Sequence, residues 1–317
     1  MKHVALSPAI ALSVFALALS AGASAQSSGP FTVAETGKSY DNLQMAIYEA
    51  EALPKGTIVI ANGVHRVCGV QQRGSVTFEA EQPGEARFSG ISCEGKAALV
   101  LRGQSSRVEG LVFSNLRVGD GNGAGIRLEA GDLFVSQSWF RDSQQGILTA
   151  NDTDGDIVID KSTFTRLGTC ENAAGCAHSI YIGDYGSLTV TRSRFEEGRG
   201  GHYVKSRAAK IDLRDSSFDD AKGQATNYMV DLPAGAVGRI ANNWFVQGRD
   251  KENWSAFVAI AAEGGGNASE GLVIEDNTAR FVPGLARDTY FVASWTGEPL
   301  TIRNNDLARG IAKFDQR

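Results

Sequence analysis

Beyond its first 25 residues, the sequence has no long apolar run. A transmembrane helix needs roughly 18 or more apolar residues, so we predict no membrane span. The chain also lacks a basic excess: 31 Lys and Arg stand against 36 Asp and Glu, a formal net charge of −5. Proteins that bind nucleic acid usually carry a basic face, so we expect no nucleic acid partner. An acidic polysaccharide stays open, because a local basic groove can lie on an acidic protein.

Cysteine is scarce, and all four residues lie beyond the first 25. An even number of cysteines in an exported chain favours two disulfides. Cys68 and Cys93 are separated by about one of the repeats described below, which would place them on adjacent coils. Cys170 and Cys176 would close a small loop. A zinc site is the alternative, but C-x5-C without a second cysteine pair nearby fits no common zinc pattern.

The N-terminus has the composition of a secretory signal. Lys2 and His3 precede an apolar run from Ala9 to Leu19, and the small residues 23–25 follow. This order is typical of a cleaved signal peptide, although an uncleaved anchor is the alternative. We therefore predict a signal peptide over residues 1–25, a mature chain that starts near Gln26, and a periplasmic or secreted protein.

A short pattern recurs along the mature chain. Two apolar residues are separated by one residue of any type, two or three polar residues follow, and an aromatic residue ends the unit. Clear copies end at Phe113, Phe140, Phe164, Phe195, Phe218 and Phe245. The intervals between these aromatic residues, taken from their numbers, are 27, 24, 31, 23 and 27. Between the copies lies a second short strand, usually after Gly. Such repeats favour a solenoid, in which insertions at fixed corners make the coils unequal in length.

We therefore predict an all-β fold, a single-stranded right-handed parallel β-helix over residues 26–317, with at least two short strands in each coil. A β-propeller would need a four-stranded repeat of about 40 residues, and leucine-rich repeats would show dense leucine. Residues 39–53 are predicted to form a helix that caps the first coil, because Leu43, Ala46, Ile47 and Ala50 lie at helical spacing. An uncovered end would expose unpaired strand edges.

The opening Phe31-Thr-Val, the predicted helix and the segment Gly56–Gly63 resemble the entry of many bacterial proteins of the pectate-lyase-like β-helix superfamily. The resemblance extends over nearly the whole mature chain and implies the same fold. It does not imply one reaction, because the superfamily includes lyases, hydrolases, epimerases and proteins without known activity.

Strand alternation predicts which side chains reach solvent. With five apolar residues stacked in one interior column, their neighbours form an outward column. The interior column is Ile126, Ile147, Ile180, Val204 and Val230, and the outward column is Arg127, Leu148, Tyr181, Lys205 and Asp231. Arg207 lies two residues beyond Lys205 on the same face, roughly 7 Å away at about 3.3 Å per strand residue. His178 and His202 align at the strand starts.

This cluster suits β-elimination on a uronate-containing glycan, in which a base removes the proton beside the carboxylate and the neighbouring glycosidic oxygen departs. The carboxylate must be neutralised by an Arg or a Ca²⁺ ion, and a Lys, Arg, His or Tyr can act as the base. Alginate and chondroitin lyases of similar fold use a Lys base with an Arg partner, and Lys205 and Arg207 resemble that pair.

Each candidate residue receives an expected role. We assign Lys205 as the base, Arg207 as the carboxylate clamp or acid, and Tyr181 or His202, with His178 beside it, as the other proton carrier. Residues expected to bind substrate are Asp231, Tyr203 and Arg127. The predicted partner is an acidic polysaccharide, the protein is expected to be a monomer, and Ca²⁺ is the one cofactor that the sequence leaves open.

Several alternatives stay open. Outward Lys and Arg residues on a β-helix are often solvated side chains that discourage edge association, and the two histidines can be buried corner residues. A glycoside hydrolase would need two carboxylates facing one groove; the candidates Asp212, Asp215, Asp219 and Asp220 are better explained as solvated corner residues. A carbohydrate-binding or envelope scaffold would use exposed aromatic side chains such as Tyr185, Trp254 or Tyr290.

Overall fold

A computed structural model of the protein describes residues 1–2, 29–173 and 175–317. The predicted signal peptide lies almost wholly outside the described residues. The described chain forms three long sheets, of 12, 10 and 10 strands, and every pairing between successive coils is parallel. The predicted parallel β-helix is therefore confirmed. No described helix has the length and apolar character that a membrane crossing requires.

Each coil contributes one strand to each sheet. Sheet 1 contains Phe31–Val33, Lys38–Tyr40, Gly56–Ile60, Ser75–Ala80, Ser105–Glu109, Asp132–Ser136, Asp152–Asp160, Tyr185–Thr191, Lys210–Arg214, Val237–Ala241, Val273–Glu275 and Thr301–Arg303. Sheet 2 contains Gly63–His65, Ala86–Ser89, Val112–Ser114, Trp139–Arg141, Thr163–Thr165, Arg194–Glu196, Ser217–Asp219, Trp244–Gln247, Thr278–Phe281 and Asp306–Leu307. Sheet 3 contains Gly69–Gln71, Ala97–Leu101, Ala124–Leu128, Gln145–Thr149, Ile180–Ile182, Val204–Ser206, Val230–Leu232, Ala256–Ile260, Thr289–Ser294 and Ile311–Gln316.

The N-terminal helix is shorter than predicted and spans Leu43–Ala50. It begins after Asn42, whose side chain accepts a hydrogen bond from the Gln44 backbone N–H. Residues 38–40 instead form a strand that pairs antiparallel with Phe31–Val33. The four apolar residues at helical spacing are all buried, and the helix packs against strands of the first coil.

The recurring aromatic unit contains two strands, one in sheet 1 and one in sheet 2, separated by a sharp corner. One residue at each corner has a positive φ: Gln137, Lys161, Arg192, Asp215, Asn242, Asp276 and Asn304. The next position is Ser or Asn in each coil. The backbone N–H of this residue donates to the side-chain oxygen of the equivalent residue on the following coil. The residues in this series are Ser138, Ser162, Ser193, Ser216, Asn243, Asn277 and Asn305. This ladder satisfies backbone groups that the corner removes from the sheets.

Inside the corner, the aromatic residues form a continuous stack. Ring centroids of Phe113, Phe140 and Phe164 lie 4.9 Å apart from one to the next, and the rings are nearly parallel. The stack continues through Phe195 and Phe218, with centroid separations of 4.7 Å and 4.9 Å. The aromatic repeat seen in the sequence is therefore a structural element of the core.

Both predicted disulfides are confirmed. Cys68 and Cys93 join adjacent coils with a Cα separation of 5.4 Å. Cys170 and Cys176 close a loop before the strand Ile180–Ile182.

One predicted corner carboxylate is in the core instead. Asp220 is 0% exposed and forms an ion pair with Lys251, at 3.2 Å between Oδ2 and Nζ. Tyr203 Oη, Thr226 Oγ1 and the Gly248 backbone N–H also donate to its carboxylate. Asp220 is thus a charge whose burial is compensated by hydrogen bonds and a cation. We call Tyr203, Asp220, Thr226 and Lys251 the inner cluster.

Candidate functional site

An open cleft of about 570 Å³ lies on the outer face of sheet 3. It crosses the coils that contain strands Ile180–Ile182 and Val204–Ser206, together with loops from neighbouring coils. The charged and titratable residues that line it are His178, Tyr181, His202, Lys205, Arg207, Glu252 and Glu263. Amide side chains at Asn122, Gln145 and Asn227 line the cleft on either side of this group.

The strand register confirms the predicted column, although its last member, Asp231, is buried rather than exposed to solvent. Arg127 pairs with Leu148, which pairs with Tyr181. Tyr181 pairs with Lys205, and Lys205 pairs with Asp231. These side chains project from sheet 3 because the stacked interior residues fix the register by filling the core.

Lys205 is the central cation of the cleft. Its Nζ lies 2.6 Å from Glu263 Oε1 and 3.4 Å from Asp231 Oδ2. It also lies 5.6 Å from the centre of the Tyr181 ring. The Lys205 side chain is 11% exposed, so most of it is held between the two carboxylates and the phenol, with its end at the cleft surface.

Asp231 lies beneath Lys205 and is almost completely buried, with a side-chain exposure of 4%. Its Oδ2 is 3.4 Å from both Lys205 Nζ and His202 Nε2. Among the described residues, none donates a hydrogen bond to its Oδ1. Burial raises the pKa of Asp231 to about 6, although Lys205 opposes the shift. The carboxyl therefore exchanges its proton close to neutral pH.

The two histidines form the wall behind Tyr181 and Lys205, and both are buried. Their ring centroids lie 4.9 Å apart. His178 Nδ1 accepts a hydrogen bond from the His202 backbone N–H, so this nitrogen carries no proton. Burial lowers the pKa of both rings, and that of His178 falls to about 3, so both are neutral at physiological pH.

Arg207 and Tyr181 form the other side of the charged group. Arg207 Nε donates to Tyr181 Oη at 3.1 Å, and Arg207 Nη2 contacts Glu263 Oε2. Burial opposes the charge of Arg207, but its hydrogen bonds to Glu263 and Tyr181 raise its pKa above the ordinary value. Arg207 is thus a permanent cation beside a phenol that faces the cleft.

Three residues named from the sequence lie elsewhere. Tyr203, an expected substrate contact, belongs to the core with 1% exposure, because it precedes the strand Val204–Ser206 and turns inward to donate to Asp220. Tyr185, suggested as an exposed aromatic platform, is also 1% exposed. Arg127 faces outward, but Leu148 separates it from Tyr181 and it lies 3.6 Å from Glu129.

Glu263, like Glu252 in the same cleft, is a site residue that was not identified from the sequence. It lies in the segment between strands Ala256–Ile260 and Val273–Glu275, on a coil after those that supply the cations. Burial alone would raise the pKa of Glu263, but hydrogen bonds from Lys205 and Arg207 lower it below the ordinary value. Strand alternation gives no information about a loop residue, so only its acidic type beside Gly264–Gly266 was available as a signal.

A metal site is a separate question. Within the described part of the chain, no three or more His, Cys, Asp or Glu side chains are grouped as metal ligands. Dependence on Ca²⁺ therefore stays a prediction for experiment.

Comparison with known proteins places the fold. No protein-family model matches the sequence, and no curated protein does either. Among solved structures, an alginate lyase from Paenibacillus sp. str. FPU-7 is similar, with a TM-score of 0.59 and 14% identity over 86% of this chain and 94% of that one. A pectin methylesterase in complex with a hexasaccharide is less similar, with a TM-score of 0.45 and 12% identity over 89% of this chain and 79% of that one. Of these two, only the first bears on the fold, and it shows that the chain shares the β-helix fold of that protein.

Proposed function

We propose that the protein is an exported polysaccharide lyase that cleaves a uronate-containing glycan by β-elimination. The observation that carries this proposal is the position of Lys205 and Arg207. Their cationic groups both contact one carboxylate, that of Glu263, at the open surface of the cleft. A carboxylate held there has its charge neutralised, which makes the adjacent C–H proton more acidic. Fold similarity to an alginate lyase is compatible with this chemistry but does not specify it.

The proposed reaction assigns one task to each accessible group. Lys205 and Arg207 first bind the uronate carboxylate as cations. Lys205 then gives its own proton to solvent at the open cleft, and the neutral amine takes the proton from the carbon beside that carboxylate, whose charge Arg207 still neutralises. The C–H electrons form a carbon–carbon double bond as the bond to the glycosidic oxygen breaks. Tyr181 gives its proton to the departing oxygen, and Arg207 stabilises the phenolate through the hydrogen bond at 3.1 Å. Asp231 holds Lys205 from below, and His202 in turn contacts Asp231.

Glycoside hydrolysis has weaker support from the site. It would use Asp231, whose pKa is about 6, as the acid and either Glu252 or Glu263 as the second carboxylate. However, the Asp231 side chain is only 4% exposed and lies behind Lys205, where it cannot reach a glycosidic oxygen.

Export is proposed on two grounds. The two disulfides are of a kind that persists in an oxidising compartment, and residues 1–25 have the composition of a signal peptide. N-terminal sequencing of the exported protein is expected to start near Gln26.

The direct test is incubation with a panel of uronate polymers, with Ca²⁺ and with a chelator, while the ultraviolet absorbance of the unsaturated product is followed. We expect absorbance to rise on at least one polymer. Lys205→Ala and Arg207→Ala are expected to abolish the rise, whereas Lys210→Ala, an exposed residue on sheet 1, is expected to retain it. No signal on any acidic polymer would remove the lyase proposal, and activity in Lys205→Ala would move the site elsewhere.

A further inference from the structure

The carboxylate between Lys205 and Arg207 belongs to the protein itself. Glu263 Oε1 accepts from Lys205 Nζ at 2.6 Å, and Glu263 Oε2 contacts Arg207 Nη2. Each oxygen of one carboxylate is thus paired with one cation. The carboxylate of a uronate would need the same two contacts, so it and Glu263 cannot occupy the pair together.

The Glu263 side chain is held weakly enough to be displaced. It is 45% exposed, and exposed ion pairs contribute little to stability because water and salt screen them. The backbone around it is anchored: the Glu263 N–H donates to Pro233 O, and the Gly266 N–H donates to Ala234 O. Asn267 Nδ2 also donates to Arg207 O. Rotation of the Glu263 side chain can therefore open the cation pair without unfolding the loop.

We infer that Glu263 occupies the substrate carboxylate subsite and competes with substrate for Lys205 and Arg207. Glu263 would then set both affinity and specificity: only a ligand with a free carboxylate replaces what it removes, whereas a neutral glycan or a methyl-esterified uronate does not. This inference rests on the proposed function for the identity of the ligand. It does not require that the bound glycan be cleaved.

Glu263→Gln is the test variant, since it keeps the shape of the side chain and removes its charge. The control is Glu270→Gln, which removes the same charge from an exposed residue seven positions along the chain. Binding of an oligouronate and of its methyl ester is measured by calorimetry for the wild-type protein and both variants, and KM is measured where turnover occurs. Circular dichroism confirms the fold of each variant.

We expect Glu263→Gln to bind the oligouronate about 3- to 30-fold more tightly, the range for losing two exposed ion pairs. Glu270→Gln should match the wild type, and no protein should bind the methyl ester more tightly. Unchanged or weaker binding by Glu263→Gln, an equal gain in Glu270→Gln, or no binding of oligouronate to any of the proteins would overturn the inference. If Glu263→Gln binds more tightly but no product forms, the inference about Glu263 holds and the lyase proposal fails. If product forms but Glu263→Gln does not bind more tightly, the lyase proposal holds and the inference about Glu263 fails.

Discussion

Two Asp–Lys pairs lie near the strand Val204–Ser206. Their Asp–Lys distances are similar, but they differ in how far they are exposed to solvent. In the inner cluster, Asp220 and Lys251 lie 3.2 Å apart with side chains that are 0% exposed. In the cleft, Asp231 and Lys205 lie 3.4 Å apart with side-chain exposures of 4% and 11%. The same two residue types therefore occur once inside the coil and once at its outer surface.

The difference lies in how completely each carboxylate is satisfied. Asp220 accepts hydrogen bonds from Tyr203, Thr226 and the Gly248 backbone as well as from Lys251. Among the described residues, Asp231 has two longer contacts, to Lys205 and His202, and its pKa rises to about 6 because its burial is poorly compensated. A fully paired charge stabilises one structure, whereas a loosely paired charge can change its protonation state. The inner pair therefore stabilises the fold, and the outer pair is the one that we propose for chemistry.

The largest expected effect is on catalysis. Tyr181→Phe removes the proposed proton donor and is expected to lower kcat by about 10²- to 10⁴-fold, the usual contribution of a general acid. KM should change little, because Arg207 and Lys205 remain. Tyr290→Phe, outside this cleft, is the control and should keep wild-type kcat. A Tyr181→Phe enzyme with wild-type kcat would remove Tyr181 from the mechanism.

The next effect is on stability and separates the two lysines. Lys251→Met leaves Asp220 buried without its cation and is expected to lower the free energy of unfolding by about 3–5 kcal/mol. Lys205→Met should lower it by only about 1–2 kcal/mol, because Asp231 can take up a proton near neutral pH. Urea denaturation at neutral pH measures both values. Equal losses would contradict the division between the two pairs.

Asp231→Asn tests the loosely paired carboxylate through pH. Because the pKa of Asp231 is raised to about 6 in the folded protein, its contribution to stability is present below the unfolded pKa and is lost as pH rises through 6. The Asn variant does not titrate. Its stability relative to the wild type is therefore expected to increase by up to about 3 kcal/mol between pH 4 and pH 7.5.

Thermal unfolding of both proteins across this pH range measures that difference. A difference that is independent of pH would show that Asp231 does not titrate in this window.

His178 is expected to give the opposite sign and the smallest effect. Burial lowers its folded pKa to about 3, so its contribution is present above the unfolded value and is lost as pH falls. Between pH 6.5 and pH 5 the wild type should lose about 2 kcal/mol that His178→Gln does not lose. Parallel stability curves for the two proteins over this range would exclude the effect.

The repeating part of the molecule was predictable from sequence, because each coil solves the same packing problem. The interior column through Ile180 and Val204 and the outward column through Tyr181 and Lys205 follow from alternation once the strands are aligned. The aromatic residues that end the sequence repeats are the residues of the Phe stack. The third strand of each coil was not predicted. The corner between the strands of sheets 1 and 2 interrupts the pattern for only one residue, such as Gln137, so the two strands were taken as one unit.

The non-repeating part could not be predicted in the same way. Glu263 reaches the cations from a loop, and Tyr203 turns inward just before its strand, so alternation describes neither residue. From the sequence, Asp220 was interpreted as a solvated corner residue, because its partner Lys251 comes 31 residues later, on the next coil. Contacts of this kind depend on tertiary structure, which a local pattern does not contain.

The central claim is that the cleft around Lys205 performs elimination. It is tested most directly by mass spectrometry of the products formed in water enriched in ¹⁸O. Elimination adds no water, so the masses of the two fragments of a uronate oligomer should sum to that of the parent, with no ¹⁸O incorporated. Hydrolysis would add one water and place its ¹⁸O in a fragment. Fragments that sum to the parent mass and disappear in Lys205→Ala are the result we predict, and ¹⁸O-labelled fragments would contradict it.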